Sequence, residues 1–505
     1  MRARILSTAS LLALIVATFG VTTVGAQTDG GAEDDGLEVR HVELAELNDS
    51  GVSGEATVVR DGDVVTILAD VAGVAPALPH AQHLHGAPDD AGNPGLDAIC
   101  PTGDADADGD GFVSTAEGAE SYGGIQASLT TSGDTSADSG LAVERFPSPD
   151  GDAYEYVRSI AVPGDVADAL DQLVVVVHGI DINGNGEYDA EAGQSSIDPS
   201  LPLEATIPAA CGELAESDAM AHQAFLSGLN DSGAAGAATV VLEGTSAMVG
   251  IEGSGFAPGL PHAQHLHGVT DGSMENVCPP ADADTDGDGF ITTAEGQPFY
   301  DGINVSLTTE GDTSPDSALA VERFPVADED GTYTYLRDLE VSEDVADALS
   351  EMVVVAHGID INGNGEYDAE AGQSSIDPSL PLEATIPAVC GELTQADGGE
   401  MPGEGETDRE IGRVAGDHRI GTAIAVSQRA FPDGAPVVYL SSQDVNPDAL
   451  VGGVLTDGPI LLVPATGDLP QMVADEIARV DPDQVLTLGG SATVSDEILV
   501  QAGNS

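Results

Sequence analysis

The chain repeats itself on the scale of a domain. "LNDSG" at 47–51 returns at 229–233, and "SLTT" at 128–131 returns at 306–309. The stretch "HGIDINGNGEYDAEAGQSSIDPSLPLEATIPA" from His178 returns unchanged from His357. A period near 180 residues is too long for a solenoid unit and matches a whole domain copied once. The copies are placed at 38–215 and 220–394, so a site found in one is expected twice.

Within each copy the signals are those of short strands. "EATVVRDGDVVTILADV" (55–71) is two β-rich runs around Asp61-Gly62, a hairpin signal. "YEYVRSIAV" and "QLVVVVHG" read as further strands, and only "PGDVADALDQL" (163–173) has helical spacing. The expected repeat is an all-β sandwich or barrel with long loops. Cys100 and Cys211 fall in one copy and Cys278 and Cys390 in the other. Of three possible pairings the duplication selects Cys100–Cys211 and Cys278–Cys390, each closing a loop of about 110 residues and contributing roughly 4 kcal/mol by loss of chain entropy.

The flanks read differently. Residues 1–26 carry Arg2 and Arg4, an apolar run and small residues up to Ala26, the pattern of a secretory signal peptide. Later stretches lack the length and apolarity of a membrane span. Residues 395–409, "QADGGEMPGEGETDR", read as a flexible linker. From 410 to 505, compact apolar strands ("PVVYL", "PILLVP", "QVLTLGG") alternate with helices opened by Asn446-Pro447 and by Asp468 ahead of Pro470, the signature of an α/β domain.

Charge excludes partners. The formal net charge is −75, and all 13 basic residues are Arg. Loss of Arg2 and Arg4 with the leader takes −75 to −77, because residues 1–26 contain no Asp or Glu. Such a field repels nucleic acid and anionic membranes. It fits a salt-adapted exterior partly neutralised by bound cations.

"DADGDGFVSTAE" (106–117) carries acidic side chains at positions 1, 3 and 5 (Asp106, Asp108, Asp110), Gly111 at 6, the carbonyl of Phe112 at 7 and Glu117 at 12. That is the twelve-residue EF-hand loop, in which oxygens wrap a hard cation. The second copy has Asp284, Asp286, Asp288, Phe290 and Glu295 in the same places. Pro101 and Gly103 before the loop and "GAESYGG" after it leave little room for the usual helix pair. A structural calcium site of extracellular strength is expected, with a dissociation constant on the order of 10⁻⁴ to 10⁻³ M. "DINGNGEYDAEA" (181–192) is a weaker loop: Asp181, Asn183, Asn185 and Asp189 are placed, but position 12 is Ala192 and Glu191 stands one place early. Its copy uses Asp360, Asn362, Asn364 and Asp368.

Eight of eleven histidines fall in two matching sets around "PHAQHLHG" (79–86 and 261–268). On a strand, His83 and His85 share a face, and His178 at the end of "LVVVVH" can bring a third imidazole. Such a set suits copper or zinc rather than calcium. "GEATVV…ADVAGVAPALPHAQHLHG", "LVVVVHG" and "AACGEL" together resemble the copper/zinc superoxide dismutases. The middle of each repeat ("SLTTSGDTS…AVERFP") is similar to chordin-type (CHRD) domains of bacterial surface proteins. The resemblance implies Greek-key β-sandwiches with His83, His85 and His178 as copper ligands, His80 as a bracing histidine, and Cys100–Cys211 as the intradomain disulfide. In the second copy it implies His265, His267, His357, His262 and Cys278–Cys390. No histidine lies between His85 and His178 to bridge to a zinc site, and Ile207, Pro208, Ala209 and Ala210 stand where the dismutases carry their guiding arginine.

"GRVAGDHRIGTAIAVSQRAF", "PDALVGG", "GPILLVP" and "VLTLGGSATVS" closely resemble one cell-wall-binding repeat of type 2, opened by Arg413, Asp417, Arg419 and Thr422. The resemblance implies anchoring to wall polymer; such repeats usually come three together, so a single one points either to self-association or to an incomplete chain. The chain is therefore expected to be mainly β: two Cu/Zn superoxide dismutase-like Greek-key sandwiches plus an α/β cell-wall-binding domain. The expected function is that of a secreted, wall-associated, non-catalytic protein holding calcium and copper. The rival readings are a copper-only dismutase-like redox enzyme and a structural surface-layer or adhesion protein.

Overall fold

The computed structural model describes residues 37–86, 98–395, 419–431, 434–442, 458–467, 469–480, 482, 484–488 and 493–503. Residues 1–26, where a signal peptide is expected, and all but the first residue of the expected linker at 395–409 lie outside them.

The first repeat contributes β1 (Glu38–Glu46), β2 (Ser53–Asp61), β3 (Val64–Ala72), β4 (Gln82–Gly86), β5 (Gly124–Ser128), β6 (Ala153–Ala161), β7 (Val174–His178), β8 (Pro208–Glu213) and β9 (Ala215–Glu216). The second repeats them as β10 (Met220–Gly228), β11 (Ala235–Glu243), β12 (Ser246–Ser254), β13 (Gln264–His267), β14 (Ile303–Ser306), β15 (Tyr333–Glu340), β16 (Val353–His357) and β17 (Pro387–Glu392). The hairpin expected at Asp61-Gly62 is present, closing on an Asp61–Val64 pair with Gly62 at φ 59°.

In the second repeat the strand order is β14-β13-β16-β17-β10-β11-β12-β15, all antiparallel. β10 runs beside β11 from Met220 to Leu226 and then pairs with β17 through Ser227 and Gly228 alone. At that change of partner the sheet curls over itself. The expected pair of facing sheets is thus one curled antiparallel sheet, a half-barrel. Val240, Val249 and Ile251 from one part of it meet Leu266, Val354 and Ala356 from the other in a single buried cluster. Burying such side chains stabilises by about 1.5–3 kcal/mol each. In the first repeat the order from β7 through β8, β1, β2 and β3 to β6 is the same. β7, "VVVVH", is buried at every position, which is why it reads as an unbroken apolar run rather than an alternation.

The disulfides are Cys100–Cys211 and Cys278–Cys390, with sequence separations of 111 and 112. Helices are short: α1 (Thr115–Tyr122), α2 (Gly164–Ala167), α3 (Leu203–Thr206), α4 (Thr293–Tyr300), α5 (Glu343–Asp347) and α6 (Leu382–Thr385). Only α2, followed by a 3₁₀ turn at Leu170–Gln172, lies where helical spacing pointed. α1 lacks an apolar stripe and is held by a capping box in which Ser114 and Glu117 bond reciprocally.

The repeats pack through the outer faces of β1–β3 and β6 and of β10–β12 and β15. Val39, Val59, Leu68 and Val157 meet Ala221, Val241 and Leu336. At the margin, Gln223 Nε2 donates to Thr66 Oγ1 at 3.1 Å and Ser159 N donates to Glu252 Oε1 at 3.1 Å.

The C-terminal part is α/β, as expected. β18 (Val437–Ser442) lies between β19 (Ile460–Val463) and β20 (Gln484–Thr487), parallel to both. α7 (Arg419–Ala430), α8 (Gln471–Val480) and α9 (Asp496–Ala502) supply Ile420, Val473, Ile477 and Ile498 to a core with Val438, Leu440 and Leu461. Buried Glu476 is satisfied by Ser427, Gln428 and Arg479.

Candidate metal centres

In the second repeat, His265 and His267 flank Leu266 on β13. Leu266 points into the core, and the two imidazoles share the other face. His357 comes from the end of β16, where the register against β17 shifts. Gly358 follows at φ 106°, and a Cβ there would stand 2.2 Å from the Tyr367 hydroxyl, so the turn after the histidine requires glycine. The three histidines offer nitrogens that all lie within 4.8 Å of one another. They are 2–4% exposed.

Each ring is tethered by one nitrogen only. His265 Nε2 lies 3.2 Å from the Ala318 carbonyl, His267 Nδ1 3.2 Å from that of Asp301, and His357 Nδ1 2.7 Å from that of Thr385. A neutral imidazole that donates from one nitrogen carries a lone pair on the other. Of those others, His265 Nδ1 and His267 Nε2 are buried without a hydrogen-bond partner. Burial holds the rings neutral: His267 is lowered to about 3 and His357 to about 4, and His265 falls well below the ordinary imidazole value. A backbone carbonyl on the far nitrogen is how metal-binding histidines are usually oriented.

The first repeat uses the same tethers. His83 Nε2 lies 3.1 Å from the Gly140 carbonyl, His85 Nδ1 3.3 Å from that of Gly123, and His178 Nδ1 2.8 Å from that of Thr206. The His85 and His178 ring centroids are 5.8 Å apart. His262 stands apart from the triad. Its Nδ1 and Nε2 lie 3.1 Å from the carbonyls of His357 and Ala257, and its ring packs on Phe256 and Tyr333. It braces the backbone of His357. His80, its counterpart, is equally buried.

In the strong acidic loops, Asp106 Oδ1 and Oδ2 accept the N–H groups of Gly109 and Gly111 at 2.7 and 3.0 Å, and Asp284 does the same with Gly287 and Gly289. Asp108 and Asp110 accept from Asp110 N and Phe112 N, and Asp286 and Asp288 from Asp288 N and Phe290 N. Glu117 reaches back so that Oε1 accepts from Ala107 N and Asp108 N, at loop positions 2 and 3. Burial would raise the Glu295 carboxyl, but the Thr292 and Thr285 N–H and hydroxyl groups pull it down to about 2. A 3₁₀ turn (Gly103–Ala105) replaces the entering helix, and α1 is the exiting one.

Sequence reasoning missed the residue that seats this loop. Asn48 Oδ1 accepts from Val113 N at 2.7 Å, and its Nδ2 donates to the carbonyls of Val113 at 3.0 Å and Pro208 at 2.9 Å. Asn230 does the same for Ile291 and Pro387. The repetition of "LNDSG" was the available signal.

It also missed the carboxylate of the weaker loop. Asp181 Oδ1 and Oδ2 accept from Gly184 N and Gly186 N, as Asp106 does in its own loop, and Asn183 Oδ1 accepts from Asn185 N. Asp189 is held by the Asn185 amide. Asp360, Asn362, Asn364 and Asp368 repeat the arrangement. Glu204, fully buried on α3, turns Oε1 to Ile182 N at 3.0 Å and Asn183 N at 3.3 Å, again positions 2 and 3, and Oε2 to Asp189 N at 2.8 Å. Glu383 on α6 repeats this with Ile361, Asn362 and Asp368. These glutamates make the contacts that Glu117 makes in the strong loop.

Both loops of the second repeat reach the short helix that carries the histidine tether. The Thr385 carbonyl, which accepts from His357, also accepts from Thr293 Oγ1 at 2.5 Å, two residues before Glu295. Glu383 lies two residues before Thr385 on the same short helix.

In the C-terminal part, Arg413 and Asp417 lie outside the described residues, and Arg419 and Thr422 open α7. Residues 413–499 match the family model of cell wall binding domain 2. That domain implies binding to cell-wall polymer and marks a cell-wall-associated surface protein. The comparison with curated proteins returned no match. Among the described residues no helix is long and apolar enough to cross a membrane.

Proposed function

We propose that this wall-associated chain displays two copper-holding domains, each braced by calcium, and that it acts without catalysis as a metal-binding surface protein. The observation that carries the reading is the convergence of His265, His267 and His357, whose nitrogens lie within 4.8 Å of one another: each ring is fixed to a backbone carbonyl by one nitrogen, and His265 Nδ1 and His267 Nε2 are buried without a partner. All-imidazole donors favour copper or zinc, and the resemblance to the copper/zinc dismutases favours copper. Bound copper would supply a redox-capable, Lewis-acidic centre; the chain's part is to orient the rings and exclude water. His83, His85 and His178 take the same role in the first repeat.

Calcium would be held by Asp106, Asp108, Asp110, Glu117 and the Phe112 carbonyl, and by Asp284, Asp286, Asp288, Glu295 and the Phe290 carbonyl. In the weaker loops Asp181, Asn183, Asn185 and Asp189, and Asp360, Asn362, Asn364 and Asp368, are completed by Glu204 and Glu383. A secreted chain with superoxide dismutase-like or CHRD-type repeats, a cleaved leader and a wall-binding tail is the architecture we infer. The dismutase reading draws less support. The second copy has Ile386, Pro387, Ala388 and Val389 where an anion-guiding arginine is needed, as the first has Ile207 to Ala210.

Elemental analysis of the folded chain, equilibrated with calcium and limiting copper in high salt and then dialysed, tests the proposal. One copper per repeat is expected, lost when His83→Ala and His265→Ala are combined. Calcium retained without copper would overturn it in favour of a calcium-assembled structural protein.

A further inference from the structure

The copper reading leaves open what reaches the histidines, and the second repeat holds a cavity of about 180 Å³ that opens on His265, His267 and His357. Its walls are Ile303, Leu319, Val321, Ile376 and Leu380, with alanines and threonines between them. No carboxylate and no arginine lines it. Two wall residues form an exposed rim: Leu319 is 43% and Ile376 is 47% exposed. Large apolar side chains in water are unremarkable singly, but here two flank the mouth of one cavity. Their counterparts in the first repeat are again Leu141 and Ile197, 44% and 48% exposed. Ile125, Val143 and Leu201 stand where the second copy has Ile303, Val321 and Leu380. All five aliphatic wall residues therefore recur in the first copy, although Ala318 of the lining is Gly140 there.

From this geometry we infer that the cavity is a binding site for a small uncharged molecule with an apolar body about one six-membered ring in size. Its size fits, since an apolar cavity of about 150 Å³ is enough to take up benzene. The charge argument is independent of size. A hydrated anion entering this cavity would exchange water for aliphatic walls with no counter-charge, against the field of a chain at −75. A neutral ring loses nothing comparable and gains the hydrophobic contact of Leu319 and Ile376. If the ring carries one nitrogen or oxygen donor, that atom faces the triad; this part alone rests on the copper reading.

Two binding experiments on the full chain separate the ideas. First, fluorobenzene is titrated into the metal-free protein and followed by ¹⁹F NMR. Saturable binding is expected, weakened about tenfold when Leu319→Lys and Leu141→Lys are combined, equivalent to about 1.4 kcal/mol. These are rim positions, so the fold should survive, and retained far-UV circular dichroism checks it. Second, the copper-loaded protein is titrated with 4-methylpyridine and with azide, read by the visible band of the metal. The native chain is expected to take 4-methylpyridine, and the double lysine variant to shift its preference toward azide. Absence of saturable fluorobenzene binding, or a native preference for azide that the lysines leave unchanged, would overturn the inference. Fluorobenzene binding in a chain that takes up no copper would sustain the cavity assignment and remove the metal reading alone.

Discussion

Leu68 of the first repeat occupies the space beside Gly250, its own counterpart in the second: a Cβ on Gly250 would lie 2.6 Å from Leu68 Cδ2 and 3.2 Å from Val157 Cγ1. The two copies meet through equivalent faces, so one position of the pair must be large and the other empty. Leu68→Ala is expected to cost about 2–5 kcal/mol by leaving a cavity, and Gly250→Val about 1–3 kcal/mol or more by overpacking. The reciprocal exchange, Leu68→Gly with Gly250→Leu, should recover most of the loss, because it moves the same knob to the other side. Urea midpoints of the three variants measure this, and a silent Leu68→Ala would mean that the repeats do not pack through this face in solution.

How much of this was legible depends on how local each cause is. The hairpin at Asp61-Gly62 and the strong acidic loops are written in contiguous residues, and the duplication, itself plain in the sequence, selects the cysteine pairs. The curl of each sheet is not, since it depends on β10 leaving β11 for β17 at Ser227, and no local pattern marks that change. Likewise the weak loop looked incomplete because its carboxylate, Glu204, arrives from another element, after a dozen residues of turn. α1 was readable in principle from Ser114 and Glu117, a capping box hidden inside the cation loop. The residues of the histidine triad were legible, whereas the aliphatic cavity over it is assembled from Ile303, Leu319 and Ile376 on separate segments.

The Glu383 carboxylate is fully buried and bonded to three N–H groups of the loop it closes, at 2.8 to 3.4 Å. Glu383→Gln keeps the size and one acceptor but removes the charge and turns a donor toward an N–H. Combined with Glu204→Gln, it should remove calcium from the two weaker loops and leave the two loops ending in Glu117 and Glu295 loaded. Equilibrium dialysis with calcium counts the ions per chain. A drop of two is expected; no change would show that these glutamates serve only to fold the loop.

Acid should weaken the fold through a histidine outside the two candidate metal centres as well. His222 on β10 is 3% exposed, its Nδ1 has no partner, and burial lowers its pKa below the ordinary value. A lowered folded value means that the unfolded chain takes up the proton first. The contribution is therefore complete above about pH 6.5 and is lost as pH falls below it toward the folded value. His222→Leu should flatten the fall in stability over that range by at most about 1.4 kcal/mol per pH unit, the limit for one proton. Urea midpoints at several pH values decide it; an unchanged slope would mean that His222 protonates freely in the folded chain.

The Thr385 carbonyl ties the acidic loop that ends in Glu295 to the histidine triad, and Glu383 ties the weaker loop to the same short helix. His357 donates to that carbonyl from β16, Thr293 donates to it from the helix that carries Glu295, and Glu383 holds the other loop from the same short helix. Emptying the loops releases the two carboxylate anchors, and the tether that orients His357 is then held only by its own short helix. Copper affinity should fall on calcium removal by between about 5- and 150-fold, the usual range for coupled sites, and calcium affinity should rise by the same factor when copper is bound. Competition titrations of copper in the presence and absence of calcium measure the first, and calcium titrations of the copper-loaded and copper-free chain the second. Thr293→Val should reduce the coupling while leaving both metals bound, because it cuts one link and removes no ligand. Equal copper affinity with and without calcium would mean that the Thr385 node only supports the fold.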